Sequence, residues 1–299
     1  MAVPVIDLGA VPADVLARHI DAALREAGFF AIVNHGVPAQ ARARVFDASR
    51  RFFALPPSDK ARWHIDGWPL QRGFDPVGWQ ALDPTQAPDL KESFYLGLES
   101  IGPNQWPDEA LVPGFRAATE AWSGAMQALA MRLMSLFELA LELPAGHFDA
   151  FTRHPTCTTR LLHYPPQPAA AAPGQIGCGA HTDWGALTLL AQCDAGGLQV
   201  QSAGGSWIDV APLEGALIVN VGDMMQRWTN DRWRSTMHRV INRAAGRERW
   251  SVAYFFDLDA DAVIEPLPTC VGADRPARYG PITSGQHLQD MYRKTTVAA

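Results

Sequence analysis

From Pro144 onward the chain breaks into short extended runs, and that texture restricts its possible folds more than any other feature. The runs are Thr158 to Tyr164, Gly185 to Gln192, Leu198 to Gln201, Trp207 to Val210, Ala216 to Val221, Ser235 to Ile241 and Arg249 to Asp257. Turns rich in Gly, Pro, Asn and Asp separate them. Strands of this length and spacing predict a sandwich or jelly roll rather than a parallel sheet.

The sequence before Pro144 reads differently. Val3 to Leu8 is an edge-strand pattern closed by Gly9, and Ala13 to Ala27 lines up Val15, Leu16, Ile20, Ala23 and Leu24 at helical spacing before Gly28 stops it. Phe29 to Pro38 reads as a buried strand ending in an Asn34-His35-Gly36 turn, where His35 has no acidic partner nearby and is a turn histidine. A second helix over Ala39 to Leu55 is broken by Pro56-Pro57. Trp63 to Trp106 is irregular and rich in Trp, Pro and Gly, and a loop this long is expected to act as a lid. Gly114 to Leu143 carries the longest helical pattern, and Thr283 to Thr295 predicts a closing helix. Helices first and strands later define an α+β chain. At 299 residues it is expected to form one structural unit. Residues 1–110 would be an N-terminal region with the lid, and residues 111–299 the strand-rich core with its long helix.

Composition excludes several classes. A net charge of −6 without a basic block argues against nucleic acid. No apolar run reaches the roughly 18 residues of a membrane span. Cys157, Cys178, Cys193 and Cys270 show no Cys-x-x-Cys spacing, and the N-terminus has no leader pattern, so a reducing cytoplasm is the expected setting. Oligomeric state is not legible.

The chemistry concentrates at Gly179-Ala180-His181-Thr182-Asp183-Trp184-Gly185. In an extended segment alternate residues share a side, so His181 and Asp183 converge on one point while Thr182 faces away. A second, distant His completes a two-His-one-carboxylate set that holds Fe(II) and leaves positions open for reagents. His238, inside the run Ser235 to Ile241, is the candidate. His64-Ile65-Asp66 and His147-Phe148-Asp149 repeat the tripeptide. Neither enters a strand-like run or has a well-placed downstream His.

Val3-Pro4-Val5-Ile6-Asp7-Leu8, Gly28-Phe29-Phe30 through Asn34-His35-Gly36-Val37, Phe53-Ala54-Leu55-Pro56, the His181/Asp183/His238 set and Arg249-Trp250-Ser251 together resemble the isopenicillin N synthase-like family of iron(II)/2-oxoglutarate-dependent oxygenases. The likeness spans almost the whole chain. It implies a double-stranded β-helix (jelly-roll) core with a helical N-terminal region. It further implies Fe(II) held by His181, Asp183 and His238, with 2-oxoglutarate and O2 as cosubstrates. Arg249 and Ser251 would hold the distal carboxylate of 2-oxoglutarate, a role suited to a planar guanidinium facing a buried charge. Tyr164 matches the family's Tyr, whereas Leu162 stands where members commonly carry Asn. The implied reaction oxidises a small organic molecule and releases succinate and CO2. Hydroxylation is the leading outcome, with desaturation, cyclisation or demethylation as variants.

Strand alternation places Arg160 on the face of Tyr164, and Phe255 on that of Arg249 and Ser251. Arg160 is therefore expected to meet the substrate, with Trp184, Phe255 and Phe74 of the lid completing an apolar pocket. An ion pair between Arg160 and an acidic residue at the rim is the competing expectation. The rival functions are a related oxidase without 2-oxoglutarate, a non-catalytic jelly-roll binding module, whose mark would be a broken triad, and a metallohydrolase, for which no base adjoins the triad.

Overall fold

The computed structural model describes residues 3–83, 85–167, 174–242 and 246–295. The N-terminal part runs β1 (Val5–Asp7), α1 (Ala13–Glu26), β2 (Phe29–Val33), α2 (Ala39–Phe53), α3 (Pro57–Lys60), β3 (Gly73–Asp75), β4 (Glu92–Gly97) and the long α4 (Phe115–Ala140). The strand-rich part follows as β5 (Cys157–Tyr164), β6 (Cys178–His181), β7 (Leu187–Gln192), β8 (Leu198–Gln201), β9 (Trp207–Asp209), β10 (Leu217–Val221), α5 (Asp223–Trp228), β11 (His238–Val240) and β12 (Arg249–Phe256). A small hairpin of β13 (Val263–Ile264) and β14 (Ile282–Thr283) leads into α6 (Ser284–Thr295).

Eight strands form the major sheet in the order β1-β2-β10-β7-β12-β5-β4-β3, and four form the minor sheet, β6-β11-β8-β9. Residues of both sheets, among them Phe29, Leu162, Tyr164, Ile218 and Ala253 with Cys178, Val200 and Val240, pack into one buried cluster. This is the jelly-roll interior. The opposite face of the major sheet carries Leu161, Val252, Tyr254 and Phe256 into the larger core with α1, α2 and α4. Period-two alternation on β12 thus sends odd-numbered side chains into the barrel and even-numbered ones toward the helices.

The lid expectation needs correction in one respect. Within residues 63–106, β3 and β4 extend the major sheet on one edge, while β1 and β2 close the other. Residues before 110 therefore supply both borders of the sheet. Phe74, expected in the substrate pocket, points to the helix side instead. It is buried against Phe52 and Phe53, and its β3–β4 partner Phe94 shares that cluster. On β3 it is Asp75, one residue on, that faces Ser93 and Arg160.

Candidate active site

His181 ends β6 and His238 begins β11, and these two residues are register partners across the minor sheet. Asp183 follows two residues after His181. The ligand atoms of all three lie within 4.8 Å of one another. His238 Nε2 is 3.6 Å and His181 Nε2 3.9 Å from Asp183 Oδ1.

Each remaining polar atom of the triad is occupied. His181 Nδ1 is 2.8 Å from Gly179 O and His238 Nδ1 is 3.1 Å from Thr236 O. A carbonyl oxygen only accepts, so both protons sit on Nδ1 and both Nε2 lone pairs face the shared point. Asp183 Oδ2 accepts hydrogen bonds from Thr188 Oγ1 at 2.7 Å and Asn220 Nδ2 at 2.6 Å, leaving Oδ1 for a ligand. Burial, then the neighbouring His181, pushes the His238 imidazolium down to about 4, and burial lowers that of His181. Burial alone would raise the Asp183 carboxyl, but the two imidazoles and the Asn220 and Thr188 bonds outweigh it and hold the group below its ordinary value. Two neutral imidazoles and one carboxylate, all aimed inward, fit a divalent iron.

Thr188 and Asn220 were not singled out in the sequence. They are register partners on β7 and β10. The available signal was a lone Asn inside the apolar run Leu217–Val221.

Deeper in the barrel lies Arg249, 1% exposed. Its Nε donates to Gly196 O at 2.8 Å, Nη1 to Ser251 Oγ at 3.1 Å and Nη2 to Gln192 Oε1 at 3.2 Å. A guanidinium has five N–H donors, so one remains on each Nη. No carboxylate pairs with Arg249 among the described residues. Tyr164 is its register partner on β5, and the Arg249 Cζ sits 4.6 Å from that ring. Burial raises the Tyr164 phenol to about 12 although Arg249 opposes it. A buried cation with an uncommitted N–H on each Nη suits a carboxylate. Leu162, paired with Ser251, is buried beside it.

A cavity of about 420 Å³ opens above the triad and reaches His181 and Asp183. Arg160, Trp184 and Phe255 line it, and Phe74 does not. Arg160 meets both of its expectations at once. It borders the cavity, and its Nη2 lies 2.9 Å from Gln80 Oε1, 2.9 Å from Ser93 Oγ and 3.4 Å from Asp75 Oδ2. Its Nη1 makes no hydrogen bond among the described residues.

Asp257, also unforeseen as a site residue, contributes a carboxyl to the same wall. Its Oδ1 accepts from Ala186 N at 3.1 Å and crowds Gly185, where any Cβ would fall 1.6 Å from that oxygen. Burial raises this carboxyl to about 7, and nearby Asp183 reinforces the shift against the Ala186 bond.

Residues 155–258 match the 2OG-Fe(II) oxygenase superfamily, and residues 3–109 match the N-terminal region described as non-haem dioxygenase in morphine synthesis. The chain is 39% identical over 286 residues to the 2-oxoglutarate-Fe(II) type oxidoreductase hxnY of Emericella nidulans, covering 90% of this chain and 81% of that one. A full-length Neurospora crassa protein, crystallised with alpha-KG and thymine, aligns with a TM-score of 0.90 and 32% identity over 98% of this chain and 97% of that one. The dioxygenase for auxin oxidation of rice aligns with a TM-score of 0.79 and 26% identity, over 98% and 95%. The chain belongs to the 2OG-Fe(II) oxygenase superfamily. It is a 2-oxoglutarate-dependent non-haem iron dioxygenase, with Fe(II), 2-oxoglutarate and O2 as its cofactor and cosubstrates.

Proposed function

We propose that His181, Asp183 and His238 ligate Fe(II), that Arg249, Ser251 and Tyr164 seat 2-oxoglutarate, and that the chain hydroxylates a small molecule bound in the cavity above. The observation that carries the reading is the pair of Nη–H donors left on buried Arg249 below a triad whose Nε2 and Oδ1 atoms converge. The bound iron supplies activation of O2 against 2-oxoglutarate, with release of succinate and CO2.

The protein's own part is positional. Gly179 and Thr236 carbonyls fix the imidazole tautomers, and Thr188 with Asn220 fixes the carboxylate. Arg249 and Ser251 anchor the far end of the cosubstrate and so aim its keto-acid end at the triad. Trp184 and Phe255 shield the reacting face from water. Arg160 offers Nη1 to an electron-rich group of the substrate. Because Asp75 already balances its charge, a neutral acceptor serves as well as an anion. The thymine held by the Neurospora protein supports a ring-sized substrate, and the cavity volume accommodates one. The partner is accordingly a small molecule and neither nucleic acid nor membrane. No helix among the described residues is long and apolar enough to cross a membrane. All four cysteines are unpaired, which supports a cytoplasmic setting.

Anaerobic Fe(II) titration tests the assignment together with substrate-stimulated succinate release from a compound panel. Wild type should bind one Fe(II) per chain. His238→Ala should lose both binding and turnover with its circular dichroism unchanged. Full turnover in His238→Ala overturns the reading.

A further inference from the structure

A buried ion pair beside the metal site has no part in the roles assigned so far. Lys91 precedes β4 and pairs with Asp89, with side chains only 1% and 4% exposed. Burying two charges carries a heavy desolvation cost, and an apolar pair of similar size is often at least as stable. Retaining the charges therefore calls for something else that they do.

The other oxygen of Asp89 supplies it. Asp89 Oδ1 accepts the Gly179 N–H at 2.8 Å, and the carbonyl of the same Gly179 accepts His181 Nδ1 at 2.8 Å. Gly179 is thus held on one side by Asp89 and holds the ligand imidazole on the other. The fit is close: a Cβ at Gly179 would lie 2.9 Å from Asp83 N and 3.2 Å from Asp89 Oδ1. The same segment is tied down by Leu90 N to Ile176 O at 2.9 Å and by Asp89 N to Gln80 O at 2.9 Å, and Gln80 in turn bonds Arg160. Lys91 holds Asp89 Oδ2, which leaves Oδ1 turned toward β6.

We propose that Asp89, steadied by Lys91, is a positioning residue that aims His181 at the metal through Gly179, and that it ties the segment carrying Gln80 to the ligand strand. The inference rests on His181 being a metal ligand. Partners behind a metal-bound His govern its ring orientation, and losing one typically weakens metal affinity by about 10- to 100-fold.

The test uses charge-balanced double variants, so that no buried charge is stranded. Asp89→Asn/Lys91→Met keeps an oxygen for the Gly179 N–H. Asp89→Ala/Lys91→Met does not. Co(II) is titrated calorimetrically into the metal-free full chain, and the melting temperature is measured separately. The expected result is about a 10- to 100-fold weaker Co(II) affinity for the Ala/Met variant, with the Asn/Met variant within about threefold of wild type. A purely structural pair would lower the melting temperature of Ala/Met and leave its Co(II) affinity within about threefold, which would overturn the proposal. Equal loss in both variants overturns the Gly179 route. His181→Ala is the control: if it binds Co(II) like wild type, the ligand assignment itself falls, whereas loss in His181→Ala with none in Ala/Met refutes only the positioning role.

Discussion

Replacing Arg249 with Lys keeps the charge and removes the fork, which makes it the sharpest probe of the cosubstrate site. Three of the five guanidinium donors are committed, to Gly196 O, Ser251 Oγ and Gln192 Oε1. The two left over sit one on each Nη atom. An ammonium has three donors radiating from one point, so it cannot serve three protein acceptors and two carboxylate oxygens together. At least one charge-assisted hydrogen bond to the ligand is lost, worth about 1.5–3 kcal/mol. That converts to about 10- to 150-fold weaker 2-oxoglutarate binding, since about 1.4 kcal/mol is one decade. The assay is calorimetric titration of 2-oxoglutarate into the anaerobic Fe(II) enzyme, with Fe(II) affinity measured alongside. Ser251→Ala removes one neutral hydrogen bond and should cost about 1 kcal/mol. If Arg249→Lys stays within threefold of wild type, the carboxylate is not held by this guanidinium and the cradle argument is refuted.

Three other outcomes follow from the same geometry. Arg160 cannot simply be deleted, because Asp75 would be left buried and unpaired at a cost of about 3–5 kcal/mol. In an Asp75→Asn background, Arg160→Gln should raise substrate KM at least about tenfold, the value of one well-placed hydrogen bond to a charged donor, with Fe(II) and 2-oxoglutarate binding unchanged. An unchanged KM would make Arg160 a wall residue only. Phe74→Ala should lower stability by about 3–5 kcal/mol, as a buried Phe in the helix-side core, with substrate KM unaltered in the folded fraction. The Asp257 carboxyl titrates near 7 when folded, well above its ordinary value of 3.8. The folded state therefore holds a proton that the unfolded chain releases, and this contribution, full below pH about 4, is lost as pH rises toward 7. Metal-free Asp257→Asn should accordingly gain about 4 kcal/mol on wild type across that window in thermal melts, and a pH-independent difference would count against it.

How much of this was legible depends on how local the determining physics is. The His181-Thr182-Asp183 geometry follows from backbone alternation, and the downstream His lay in a readable strand, so the triad could be found without the fold. Arg249 and Ser251 obey the same period of two. β6 itself was hidden because Cys178-Gly179-Ala180-His181 has little intrinsic strand preference and is made a strand by pairing with β11. α5 was missed for a related reason. At six residues it lies below the length at which helical periodicity emerges, and packing of Met224, Met225 and Trp228 sustains it.

Phe74 shows the limit from the other direction. An aromatic in a Gly-rich loop is a reasonable pocket residue, but one step along β3 decides whether it faces substrate or core, and pairing with β4 makes that choice. The inward column of β12 sets the two regimes side by side: Arg249, Ser251, Ala253 and Phe255, with Asp257 just past the strand end. At its deep end the proposed ligand has a fixed chemistry, so residue type alone suggests the role. The outer end borders the cavity with neighbours from β4, β5, the Gln80 loop and α6, which converge only after folding and on the proposed reading define the substrate. Side chains there acquire meaning from contacts made across more than a hundred residues of sequence. Asp257 illustrates it: nothing near it in the chain marks a carboxyl pressed against Gly185, yet its burial, with Asp183 nearby, gives the cavity an acid pushed up to about 7.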